Sequence, residues 1–181
     1  MLQVVIELVP ERYDEKNHSF IDPVTKTLQL EHSLVSISKW ESKWCKSFIG
    51  SREKTDEEVL DYIKCMTITQ NVDPKLYNYL SRENIRQINN YIDAPMTATH
   101  FREDPNAKPN RDTITSELIY YWMITFGIPF ECQKWHLNRL LTLIHVCSVK
   151  NQPAKKMSRG ETARQNAALN AARRKRLNTR G

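Results

Sequence analysis

Apolar positions recur at helical spacing along most of the chain and alternate only near its start. Leu2 to Val9 (LQVVIELV) is β-branched and stops at Pro10, and Lys26 to Leu30 (KTLQL) alternates polar with apolar. Together they predict a small antiparallel hairpin, joined by the long, polar, turn-rich connection Tyr13 to Asp22. Two strands alone are marginal in water, so the ribbon must lie on something else. Ser33 to Phe48 places Ile37, Trp40, Trp44 and Phe48 three and four residues apart, with Glu41, Lys43 and Lys46 off that stripe, an amphipathic helix. Thr55 and Glu58 have the capping-box spacing, which predicts a helix to about Thr69 with Val59, Tyr62, Ile63 and Met66 inward. Asn71, Asp73 and Pro74 break it, and Lys75 to Leu80 reads as one short turn. Ser81 then caps Glu83 to Ile92, whose Ile85, Ile88, Tyr91 and Ile92 point inward.

Asp93 to Asn110 holds three prolines and few aliphatic residues, a surface loop of a length that is uncommon unless functional. Asp112 or Thr113 starts the next helix, which runs through Phe126 and is apolar nearly all round, with Gly127 as its C-terminal cap residue. Pro129 to Lys150 is the longest uninterrupted helical pattern, bounded by Pro129 and Pro153. These two rich helices, separated by Ile128, are expected to pair at the centre of the core. Beyond them Ser158 and Glu161 form another capping box ahead of an alanine-rich run whose only large apolar residues are Leu169 and Leu177. The expected fold is mainly α (α+β): a bundle of about five helices with a small N-terminal β-hairpin and a basic tail, helical or ordered only on binding. The body spans 1–150, with the hairpin in 1–32 and the helical core in 33–150, and the tail spans 151–181.

Composition adds size and charge. With 181 residues, 40% hydrophobic and 27% charged, the chain is long enough to bury a real core. The formal charge of +6 is uneven: from Asn151 onward nine cations face the single acid Glu161, a net of +8, which leaves −2 for the first 150 residues. The basic character therefore belongs to the tail. Cys45, Cys65, Cys132 and Cys147 form no CxxC pair and do not read as a disulfide framework. With no basic, apolar leader and no run approaching about 18 apolar residues, a reducing, cytosolic compartment without a membrane span is expected.

Candidate chemistry is sparse. Cys132 and His136, four apart on a helix, could share a metal, but His145 and Cys147, two apart, would diverge, so no metal or other cofactor is expected. No GxSxG elbow is present, and the four glycines stand singly rather than in a phosphate cradle. Glu57, Glu58 and Asp61 read as a capped helix start rather than paired acids. A binding protein rather than an enzyme is therefore expected. Trp40 and Trp44 read first as core anchors and second as a partner-facing patch, and Trp135 joins them on a helix flank. Arg159, Arg164, Arg173, Arg174, Lys175 and Arg176 suit a solvated end, an acidic protein surface or phosphates, but no tail aromatic offers base stacking.

Several stretches carry a resemblance: SLVSISKWESKW, DYIKCMTITQNVDP, APMTATHF, SELIYYWMITFGIPFECQKWHLNRLLTLIHVCSVKN and KKMSRGETARQNAALNAARRKRLNTRG. In the same order and over nearly the whole chain, they resemble the tail assembly chaperones of long-tailed bacteriophages. That resemblance implies a mostly helical, non-enzymatic protein of the infected host's cytoplasm, which binds the tape-measure protein and helps deliver tail-tube subunits. It leaves room for a homo-oligomer. The alternatives are a permanent virion component of the neck, tail or baseplate, or a DNA-binding accessory protein acting through the basic tail.

Overall fold

The computed structural model describes residues 1–14, 18–50, 53–101, 113–151 and 159–178. Four strands come first, β1 (Leu2–Val9), β2 (Arg12–Asp14), β3 (Ser19–Ile21) and β4 (Val24–Leu30). The helices are α1 (Leu34–Trp44), α2 (Asp56–Met66), α3 (Arg82–Asp93), α4 (Ser116–Thr125), α5 (Leu137–Asn151) and α6 (Arg159–Leu177). Two 3-10 turns, Pro74–Tyr79 and Phe130–Lys134, lie between them. The protein is mainly α with a small N-terminal antiparallel hairpin, the class that the apolar pattern predicts.

β1 and β4 pair from Leu2 against Leu30 to Val9 against Val24, with an irregularity between Glu7 and Val9. The connection is more than a turn-rich link: β2 and β3 pair Tyr13 with Phe20, so a second short ribbon extends the first. Tyr13 packs edge-on against Phe20 with ring centroids 5.1 Å apart, a cross-strand aromatic pair that polar neighbours hide in the sequence. At the base of the hairpin Val4, Ile6, Leu28 and Leu30 alternate inward and are fully buried.

That base is extended by chain leaving α2. Glu31 N–H donates to Met66 O at 2.9 Å and Ile68 N–H to Gln29 O at 2.8 Å. These sheet-like bonds claim the backbone after Met66, which is why α2 stops there rather than at Thr69. The Thr55–Glu58 capping box is present, with hydroxyl and carboxylate each taking the other residue's amide. Ser81 caps α3 in the same reciprocal way through Asn84.

α1 is the centre of the body. Leu34, Ile37 and Trp40 are fully buried in one core with Tyr62, Ile63 and Met66 of α2 and Ile119 and Met123 of α4, and α1 packs on α2, α4 and the 3-10 turn Phe130–Lys134. Glu41, off the apolar stripe, is buried as well, because its two oxygens accept Phe48 N–H and Ser116 N–H, each at 2.7 Å. The second of these bonds sets the start of α4, which is capped by Thr115 rather than by Thr113; Asp112 lies outside the described residues. At the other end Gly127 takes φ +65°, and Ile128 N–H returns to Met123 O at 2.8 Å, a glycine-closed helix end.

The pattern from Pro129 to Lys150 is not one helix. After the 3-10 turn Phe130–Lys134 the chain is extended at Trp135, and α5 begins at Leu137. A tertiary contact overrides local propensity here: Leu137 N–H donates to His32 O at 2.8 Å, and Ser33 and His136 form a β-bridge. The expectation that α4 and α5 pair at the core centre is overturned too, since α4 packs on α1.

The chain divides into two units, Met1–Ser148 and Val149–Gly181. α6, in the second, is helical as its alanines predict, and its described side chains are exposed. The capping box read at Ser158 and Glu161 and the loop beyond Phe101 lie outside the described residues. Among the described residues, no helix is long and apolar enough to cross a membrane.

Candidate functional site

The three tryptophans singled out by sequence have different surroundings. Trp40 is fully buried, donates its indole N–H to Glu58 O at 2.9 Å and meets Phe48 edge-on at 5.2 Å. It cannot face a partner, which removes it from the candidate surface. Trp44 is half-buried and stacks on Trp40 at 6.1 Å, while its N–H donates to Asp61 Oδ2 at 3.0 Å. The ammonium groups of Lys43 and Lys46 stand 5.6 Å and 6.0 Å from the Trp44 ring centroid. Trp135, half-buried, lies 4.3 Å beneath the Arg139 guanidinium.

The acids beneath this ledge are structural. Burial raises the Asp61 carboxyl, but hydrogen bonds from Lys43 and Trp44 outweigh it and hold the group below its ordinary value. Glu58 is held low by its bond from Lys46 at 2.6 Å and by the Thr55 amide. Its carboxylate is thus committed to an ion pair and the capping box.

The break at Trp135 also alters the Cys/His arrangement. Cys132 and His136 belong to different backbone segments, so they do not share a helical face. Among the described residues no group of three or more His, Cys, Asp or Glu is arranged to hold a metal ion. His136 is instead buried against His32, ring centroids 5.0 Å apart, and against Tyr91. Asn138 N–H donates to its Nδ1 at 3.3 Å, so Nε2 carries the proton and donates to Tyr91 O at 2.9 Å. His32 Nδ1 lies 2.5 Å from the Tyr62 hydroxyl. Burial first, and the neighbouring His136 second, push His32 down to about 3; burial also lowers His136. This pair is a neutral joint tying the hairpin base, α1, α2 and α5.

A surface that the sequence reading missed lies on α4. Ile119 and Met123 face the core, while Tyr121 is 61% and Ile124 65% exposed, and Phe130 just beyond is 53% exposed. Between α4 and α5 an open groove of about 400 Å³ is lined by Trp122, Phe126, Leu141, Ile144, His145 and Ser148. Phe101 packs edge-on against His145, with centroids 4.0 Å apart. Its signal was the helix read as apolar nearly all round: a helix with one buried face has no use for the other apolar positions.

The six cations of the candidate site all lie on α6 and are exposed. Arg173, Arg174, Lys175 and Arg176 occupy its last turns, where the negative end of the helix dipole favours them. The structure therefore does not bring the predicted residues into one site; they comprise a buried anchor, two half-buried rings and a separate cationic helix. No protein-family profile, curated protein or solved structure matches the chain.

Proposed function

We propose that the protein is a tail assembly chaperone of a long-tailed bacteriophage, which binds the tape-measure protein in the host cytoplasm and promotes assembly of the tail tube around it. It acts by binding. The resemblance of the sequence motifs supplies the family, and one observation carries the mode of action: the uncovered apolar face of α4, with Tyr121, Ile124 and Phe130 beside the groove toward α5. A long amphipathic helix kept soluble before assembly needs such a surface, since its own apolar stripe must be shielded from water. A face of half-exposed large side chains on a rigid helix suits a client that is later released.

Co-expression with the tape-measure protein of the same genome tests this reading. The expected result is a rise in its soluble fraction and co-purification of the two proteins; unchanged solubility with no co-purification overturns it. Mass spectrometry of purified particles adds a second check, because a chaperone is absent from finished tails and a permanent component is not.

A further inference from the structure

We propose that α6 binds duplex DNA through its phosphates, independently of sequence. The helix has 19 residues, about 28 Å at 1.5 Å per residue, and carries Arg159, Arg164, Arg173, Arg174, Lys175 and Arg176 against the single acid Glu161. Each residue turns the helix by about 100°, so Arg159 and Arg173 lie on one side and Arg164 and Lys175 on nearly the opposite side. Between these two rows stand Ala163, Ala167 and Ala171, too short to hold the backbone away from a surface, and Arg174 among them adds a cation to the same face.

A helix lying in the major groove, about 12 Å wide, has a phosphate wall on either flank, and the two cationic rows, on either side of a face made of small residues and Arg174, match that arrangement. An apolar protein groove fits less well. Leu169 and Leu177 lie about 80° apart around the helix and form no stripe. Single strands are disfavoured because α6 contains no aromatic side chain on which an unpaired base could stack. With −2 on residues 1–150, the attraction to phosphate resides in the tail.

The test is the affinity of the full-length protein for a 20-base-pair duplex, followed by fluorescence anisotropy against salt. Each neutralised phosphate contributes a slope of about −0.9 in log K against log salt, so engagement of the six helix cations gives about −5. Replacing Arg173→Gln, Arg174→Gln, Lys175→Gln and Arg176→Gln together is expected to flatten that slope by about 3 to 4. Thermal unfolding of the body should be unchanged in this variant, which separates lost contacts from lost fold. A slope shallower than about −2, an affinity indifferent to the four substitutions, or tighter binding to a single strand of equal length overturns the proposal. So does polyglutamate competing as well as DNA at equal charge, which assigns α6 to acidic polypeptides. These outcomes concern the tail alone, and tape-measure binding is read separately.

Discussion

α1 and α4 are both written with large apolar and aromatic side chains, yet their fates differ. α1 buries Trp40 completely and fixes even its off-stripe carboxylate, Glu41, between two backbone amides. α4 buries Ile119 and Met123 and turns Tyr121 and Ile124 to water. Apolar content alone therefore does not mark the centre of a fold. What decides burial is whether neighbouring elements surround the helix, and α1 has α2, α4 and the 3-10 turn Phe130–Lys134 around it while α4 has a neighbour chiefly on one side.

The comparison breaks most visibly if Trp40 is removed. Trp40→Ala should cost about 3–5 kcal/mol, because it deletes a fully buried indole and its hydrogen bond. Chemical denaturation measures this as a drop in midpoint; a loss below about 1 kcal/mol would show that α1 is not the centre.

A middle-sized effect comes from the histidine joint beside α1. The folded state holds His32 neutral down to about 3, whereas the unfolded chain takes up the proton at about 6.5. The unfolded state thus binds more protons in that window, and stability falls as pH falls. The contribution is complete above pH 7 and reduced by about 2 kcal/mol at pH 5, and buried His136, also lowered, pulls in the same direction. Denaturation midpoints between pH 7 and 5 give the slope, and the His32 ring signals in NMR should remain those of a neutral imidazole at pH 5.

The smallest effect on stability, and the sharpest on the contrast, is expected on the open face. Tyr121→Ser with Ile124→Ser should shift unfolding by no more than about 0.5 kcal/mol, since both side chains are mostly in water. The same pair should abolish co-purification with the tape-measure protein. A large loss of stability with binding intact would make this face part of the body's packing instead.

What the sequence made legible was whatever is settled locally. Thr55 with Glu58, Ser81 at the start of α3 and Gly127 after α4 are short-range devices, each readable within a few residues. What it concealed was settled at a distance. The break at Trp135 depends on Leu137 reaching His32 O, and the end of α2 on Met66 and Ile68 bonding to the hairpin base. The start of α4 depends on a carboxylate 75 residues earlier. For the candidate surface, Trp40 looked as available as Trp44 because helical spacing cannot tell how many elements pack on a stripe. For the same reason a helix that reads as apolar nearly all round does not reveal that its Tyr121 and Ile124 face water.

The bridge between Ser33 and His136 also constrains the order of folding events. Local helices can form as the chain leaves the ribosome, but the joint that locks α1 joins residues about a hundred positions apart. Until His136 and Leu137 have emerged, His32 has neither the His136 ring nor the amide that its carbonyl accepts. The N-terminal hairpin can therefore be held by α2 and α3 first, while the joint at its base stays open until α5 arrives, and a chain cut short before α5 lacks the pieces that close it.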